Sequence, residues 1–338
     1  MKSLGIDPGT MSFDFCLLAE DGSVLDENSI PSTDIMARPL LLVDVVREMN
    51  ADVVAGPSGY GVPVCALREA DEGVLAQLLP ADEGEVAVNE GIRSALRLLR
   101  EEGVPVVFTP GVIHLATVPG HRKLNRFDMG TADKLAVTFL ALAERARRHG
   151  RGARAETFVV LEIGFGFTAA VAVVEGRVVD GIGGSMSFGG CHSSGFVDAE
   201  LAYRRGRVPY LDLFRYGAAD LAGDLPVEAW PAGGEAAAAL VERALQTACS
   251  LLPIVGPGRP VILSGRLMEV DWVREAVERG LAGPLGPFAA TEVIARRARR
   301  AKAAAEGSAR LGLALLGGPE ATLAVEMGLV PAERIPVL

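Results

Sequence analysis

The feature that most constrains this chain is a short pattern that occurs twice. Lys2 to Ile6 reads as a strand, Asp7-Pro8-Gly9-Thr10 as a tight turn and Ser12 to Ala19 as a second strand; Glu20-Asp21-Gly22 is a turn and Ser23 to Ile30 a third strand. Much later, Thr157 to Glu162, Gly164-Phe165-Gly166, Thr168 to Val174, Glu175-Gly176 and Arg177 to Ile182 repeat strand, turn, strand, turn, strand. The acids Asp7 and Glu162 are 155 positions apart, and the turn glycines Gly22 and Gly176 are 154 apart. Two nearly equal spacings favour duplication over chance. They predict two copies of one unit, each headed by a three-stranded meander.

Between the copies the apolar periodicity predicts helix Asp34 to Met49, strand Asp52 to Ala55, helix Asn89 to Glu102, strand Pro105 to Phe108 and helix Thr131 to His149. After the second copy it predicts helices Phe196 to Arg205 and Glu235 to Leu252, strand Pro260 to Leu263, helix Asp271 to Gly280 and one long helix from Thr291 to Leu316. A chain of 338 residues exceeds the usual reach of one core. The polar stretch His149 to Arg154 is the natural boundary, giving lobes 1–150 and 151–338. With 49% hydrophobic and only 5% aromatic residues, an α/β class follows.

The formal charge of −10 argues against a broad footprint for nucleic acid or an anionic membrane. A phosphate must therefore be held locally, by backbone amides, a few basic side chains and a metal ion. Cys16, Cys65, Cys191 and Cys249 lie far apart without a C-x-x-C pair, which predicts buried, reduced thiols rather than zinc or disulfides. Met1 leads straight into a strand with no signal-like run, and no apolar stretch reads as long enough to span a bilayer. The cytoplasm is the expected location.

A strand ending in D-x-G-T places a carboxylate at the strand end, and the glycine lets backbone N–H groups approach a phosphate. Asp7, Gly9, Thr10 and Met11 fit that loop, and Glu162, Gly164, Phe165 and Gly166 repeat it. One such turn could be an ordinary hairpin. Two opposed turns make a phosphate clamp.

Gly5-Ile6-Asp7-Pro8-Gly9-Thr10 resembles the first phosphate loop of the superfamily that contains actin, heat-shock chaperone ATPases, hexokinase and acetate kinase (ASKHA), and Leu161 to Gly166 resembles its second. Met129 to Ala136 and Ala304 to Ala309 are similar to its two interlobe connectors; Val261 to Arg266 sits where its adenosine loop belongs, with Ser264 before Gly265 where the family has paired glycines. The resemblance implies two ribonuclease H-like lobes with a nucleotide cleft between them, ATP and Mg²⁺ as cofactors, and magnesium held through water by Asp7 and Glu162. Gly9, Thr10, Met11, Gly164, Phe165 and Gly166 would hold phosphates, and Ser264, Gly265 and Arg266 the nucleoside.

Gly164 to Gly190 is most similar to acetate and butyrate kinases, and the whole chain resembles an archaeal family predicted to be butyrate kinases. The implied activity is phosphoryl transfer to a small carboxylate. Those kinases carry a histidine at the Glu162 position; a carboxylate there would repel the moving phosphoryl group and is closer to the acid that orients metal-bound water in the chaperone and actin loops, which favours the alternative of a nucleotide-switched ATPase or regulatory nucleotide-binding protein. No nucleic-acid or membrane partner is implied; a homodimer is compatible with the resemblance.

For the acceptor, the cluster Arg122, Lys123, Arg126 and Asp128 before the first connector offers cations for an anion and an acid to position them. Ser58 and Tyr60, after the strand at Asp52 to Ala55, open at a strand's carboxyl end. Asp133 either faces the cleft or complements its helix N-terminus, and Lys134 reads as structural. His114 reads as a rim histidine, Cys191-His192 as too small a pair for a metal site, and Arg296 to Lys302 as the wet face of a helix.

Overall fold

The computed structural model describes residues 1–80, 87–206, 208–283 and 286–330. Two sheets carry the two halves. In the first, β1 (Lys2–Pro8), β2 (Ser12–Ala19), β3 (Val24–Pro31), β4 (Val53–Ala55), β5 (Cys65–Ala66) and β6 (Val106–Phe108) lie in the order β3-β2-β1-β4-β6-β5. In the second, β7 (Phe158–Ile163), β8 (Thr168–Val174), β9 (Arg177–Ile182), β10 (Pro260–Ser264) and β11 (Ala290–Val293) lie in the order β11-β10-β7-β8-β9. Each sheet begins with an antiparallel meander and continues with parallel strands on the far side of its first strand, the first sheet ending in the short β5, antiparallel to β6.

The duplication extends to the register. Asp7 faces Asp14 across β1 and β2; Glu162 faces Ala169 across β7 and β8, each 155 positions later. The irregularity between Leu17 and Leu18 recurs between Ala172 and Val173, again after 155. The central strands β2 and β8 are buried on both faces, which is why they read as continuous apolar runs rather than alternating ones.

Helices fill in around the sheets. The first half holds α1 (Ser32–Ala37), α2 (Leu40–Met49), α3 (Glu72–Leu78), α4 (Ala87–Glu101), α5 (Gly120–Lys123) and α6 (Ala132–His149). The second holds α7 (Ala199–Arg205), α8 (Glu235–Cys249), α9 (Leu252–Val255), α10 (Asp271–Ala282), α11 (Ala303–Leu315) and α12 (Ala321–Met327). The helix expected over Asp34 to Met49 is two helices, because Pro39 restricts Arg38 and cannot donate within a continuous helix. The helix expected from Phe196 starts at Ala199, where the Asp198 carboxylate accepts from the amides of Glu200 and Leu201.

The largest departure is at the end of the second half. The helix expected from Thr291 to Leu316 is instead β11, an irregular segment over 294–302, and α11. Two carboxylates take the amides a helix would need. Glu27 on β3 accepts from Arg299 (3.0 Å), Arg300 (2.8 Å) and Ala301 (2.9 Å), while Glu306 accepts from Arg297 (2.7 Å) and Ala298 (2.8 Å). The arginine run is therefore not a wet helical face.

The connectors α6 and α11 join the halves. All of α11 is buried, and it rests on β1, β2, β4 and α6. A Cβ on Gly5 would lie 2.0 Å from the Ala305 carbonyl oxygen, and one on Gly307 would lie 2.2 Å from that of Ala136, so both contacts are backbone to backbone. The core around these helices takes Val53 and Val107 from the first sheet, Val160, Val171 and Ile262 from the second, and Leu135 and Phe139 from α6. A separate core backs the outer face of each sheet. Glu235–Val255 is long and apolar enough to cross a membrane, contrary to expectation, and its Ala237, Leu240, Ala244 and Ala248 are buried in the second sheet's core. The expected lobe limit at residue 338 falls outside the described residues.

Candidate functional site

A cleft of 630 Å³ opens between the two meanders. The turn after β1 is closed by the Gly9 amide donating to the Ser12 carbonyl (3.0 Å), and the turn after β7 by the Gly164 amide donating to that of Phe167 (2.9 Å). The turns face each other closely: a Cβ on Gly166 would lie 3.0 Å from Thr10 Oγ1. Gly9, Thr10, Met11, Gly164, Phe165 and Gly166 all line the cleft.

Each turn carries a carboxylate, and each carboxylate meets a lysine from a connector. Lys302, the residue before α11, places Nζ 3.1 Å from Asp7 Oδ2, 2.9 Å from Asp14 Oδ2 and 3.2 Å from the Ser12 carbonyl. Lys134, in the first turn of α6, places Nζ 2.9 Å from Glu162 Oε1 and also contacts Asp133, which accepts from the Thr131 hydroxyl. The first connector thus supplies the cation for the second turn, and the second connector for the first. Sequence reasoning missed both lysines: Lys134 read as structural, and Lys302 was hidden in the supposed helical run. The signal for Lys302 was a single lysine ending an arginine run immediately before small residues.

Burial dominates the electrostatics here. It pushes the Asp7 carboxyl above its ordinary range, with Lys302 opposing, and it does the same to Glu162, with Lys134 opposing. Burial also acts on Lys134, yet Asp133 and Glu162 outweigh it and hold the ammonium well above its usual value. Asp133 is displaced downward, because Lys134 and the Thr131 hydroxyl overcome its desolvation. One oxygen in each cluster stays open: Glu162 Oε2 and Asp14 Oδ1 are buried without a hydrogen-bond partner. Among the described residues no three His, Cys, Asp or Glu side chains form a direct metal-ligand group. The orphaned Glu162 oxygen fits a metal ion held through water.

Ser264, Gly265 and Arg266 line the same cleft at the end of β10. Gly265 has φ +100° and a Cβ there would lie 2.3 Å from the Ile163 carbonyl oxygen, so this turn tolerates only glycine. The Arg266 guanidinium donates to Ser12 Oγ at 3.3 Å and bridges the halves.

The acidic member of the acceptor cluster reaches the cleft, and its basic members do not. Asp128 lines the cavity and is buried. Arg122 donates to the Val179 carbonyl (2.9 Å), Arg126 to that of Gly181 (3.2 Å) and Lys123 to that of Leu115 (2.8 Å). The two arginines satisfy carbonyls of β9, an edge strand of the second sheet, and flank Asp180. None of the three lines the cavity. Ser58 and Tyr60 do line it. His114 Nδ1 accepts from the Gly111 amide (3.2 Å), and the His192 ring packs against Phe165.

These features define a two-lobed α/β protein of the ASKHA fold, its cleft formed by a duplicated turn. The chain belongs to the family described as "Protein of unknown function (DUF1464)", whose model matches residues 5–332. No curated protein matches it. Among solved structures it is similar to acetate kinase from Porphyromonas gingivalis, at 15% identity and a TM-score of 0.62 over 93% of this chain and 99% of that one. A propionate kinase from Francisella tularensis subsp. tularensis SCHU S4 gives 14% identity and a TM-score of 0.61 over 91% and 98%. Acetate kinase from Entamoeba histolytica gives 12% and 0.56 over 82% and 85%. At these identities the likeness is one of fold.

Proposed function

We propose that the protein is an ATP-dependent phosphotransferase that binds Mg-ATP in the cleft. The observation that carries this reading is the pair of facing glycine turns, each with its carboxylate met by a lysine from the opposite connector. The Gly9 and Gly164 amides close the turns, the amides of residues 10, 11, 165 and 166 would donate to phosphate oxygens, and the turn at Ser264 to Arg266 would hold the nucleoside. Asp7 and Glu162 would hold magnesium through water. The ion, when bound, neutralises phosphate charge and aligns the terminal phosphoryl group. Lys302 and Lys134 compensate the buried Asp7 and Glu162, so the two carboxylates are held in place before nucleotide arrives.

The likeness to acetate and propionate kinases supports a carboxylate acceptor, as does the resemblance in the sequence. The turning of Arg122, Lys123 and Arg126 away from the cavity opposes it. A nucleotide-switched ATPase is the second reading, favoured by Glu162, whose free oxygen could orient a water.

Calorimetric titration with Mg-ATP tests the common core of both readings. Binding by the wild-type chain, weakened at least roughly tenfold in Lys302→Met and Lys134→Met, is the expected result. No binding at millimolar nucleotide, or equal binding by all three proteins, would remove the phosphotransferase reading and leave only the fold.

A further inference from the structure

Beyond the phosphate turns the cleft changes character. Tyr60 and Tyr210 approach through their hydroxyls (3.4 Å), Tyr210 packs against Phe214 (ring centroids 6.1 Å) and Phe214 against Phe167 (5.0 Å). All four line the cavity, together with Leu79 and Leu211. In a chain with so few aromatic residues, this is a concentrated apolar wall.

One carboxylate stands in that wall. Asp128 rests on the backbone of Gly183, where a Cβ would lie 1.8 Å from its Oδ1, and Phe167 rests likewise on Gly184. Its Oδ1 accepts from the Gly130 amide (2.9 Å), and its Oδ2 accepts from the Ser185 amide and hydroxyl (both 3.2 Å). Every one of these donors is neutral. Among the described residues, neither Lys nor Arg bonds to Asp128, whereas Asp7, Asp14, Asp133 and Glu162 each have a lysine.

A carboxylate acceptor needs cations to hold it and no base, because it is already ionised at neutral pH. Beside Asp128 it would meet a like charge in a low-dielectric wall instead. A hydroxyl acceptor needs the opposite arrangement: an apolar surface for its body and a carboxylate to take its proton.

Resting on the phosphotransferase reading above, we propose that the acceptor is an uncharged alcohol with an apolar body, and that Asp128 is its general base. The alcohol's O–H bond breaks with its proton passing to Asp128. The alcohol oxygen forms the new P–O bond to the γ-phosphorus of ATP. The bond from that phosphorus to the β,γ-bridging oxygen breaks with its electron pair leaving on ADP. The products are a phosphate monoester, ADP and a proton, which Asp128 returns to solvent.

The test compares benzyl alcohol and n-butanol with their carboxylate counterparts, benzoate and butyrate, on the full chain with saturating Mg-ATP. ADP formation is read alongside the phosphorylated product, by ³¹P NMR for monoesters and hydroxamate trapping for acyl phosphates. Alcohols are expected to stimulate ADP formation at least about tenfold over carboxylates, with the stimulation lost in Asp128→Asn. A second measurement does not depend on turnover: butyrate binding, followed by saturation-transfer NMR, should tighten several-fold in Asp128→Asn while benzyl alcohol binding stays within about twofold. Trapped acyl hydroxamate without monoester overturns the proposal. So does the absence of any alcohol stimulation together with unchanged butyrate binding in the variant. If Mg-ATP still binds under either outcome, the acceptor class is wrong and the nucleotide site stands; if it does not bind, the failure lies in the phosphotransferase reading itself.

Discussion

Lys302 and Asp7 are separated by almost the whole chain, yet Nζ of one lies 3.1 Å from Oδ2 of the other. The same ammonium serves Asp14, which is fully buried on the neighbouring strand. Two carboxylates therefore depend on one cation, and the cation depends on how the segment before α11 is held.

Removing that cation should be costly. Lys302→Met is expected to lower unfolding stability by about 3 kcal/mol, because it leaves Asp7 and Asp14 buried and uncompensated. Adding Asp14→Asn should restore at least about half of the loss, since one orphaned charge disappears with it. Urea denaturation of the single and double variants checks this, and equal stability of the two would show that Asp14 is compensated some other way.

Asp7→Asn and Glu162→Gln separate the roles of the two turns. Asp7→Asn is expected to lower turnover by at least roughly tenfold with the fold intact, as circular dichroism would show. Glu162→Gln should abolish hydrolysis if Glu162 orients a water, and should preserve transfer if its charge merely opposes an incoming group. Steady-state ADP formation with and without acceptor reads both variants. Wild-type turnover in Asp7→Asn would remove it from the phosphate site.

What the sequence disclosed and what it withheld follow from range. The meanders, the acid at each strand end and the glycine turns are written in runs of ten residues or fewer, and they are where the pattern puts them. The fate of 294–302 depends on Glu27, more than two hundred residues earlier in the chain, whose carboxylate accepts three successive amides. No local periodicity reports that. Arg122 and Arg126 were misplaced for a related reason: their charge suggested an anion site, but an edge strand offers unpaired carbonyls, and the pairing of β9 is a property of the whole sheet.

Gly307 carries the crossing of the connectors, so Gly307→Ala should force α6 and α11 apart. A loss of about 1–3 kcal/mol is expected, with turnover falling more than nucleotide affinity because the hinge is displaced while the turns remain. Gly152→Ala is a control, since a Cβ there meets nothing within 4 Å. Thermal melts and kinetics on the two variants make the comparison; equal effects would mean that the crossing tolerates the methyl group.

Asp128 gives a pH signature that needs no substrate. Burial raises its pKa, offset in part by the Gly130 and Ser185 donors, so the native chain binds more protons at this position than the unfolded one. Its contribution is fully present below the unfolded carboxylate value of about 3.9 and is lost as pH rises through the native value. The stability of wild type relative to Asp128→Asn should therefore fall as pH increases from about 4, measured by urea titration across pH. A difference that is flat with pH would mean the carboxylate is not displaced upward.

The backbone contact of α11 with β1 also sets how the molecule comes apart. The helix that covers the first sheet is encoded in the second half of the chain, and α6, encoded in the first, lies against β7 and β8. Neither half owns the helix that closes its own hydrophobic surface. A chain severed near residue 150 would yield two incomplete pieces, each finishing the other, and the intact chain should melt in a single cooperative transition. The two halves repeat one unit, and the crossed helices tie them into one thermodynamic body.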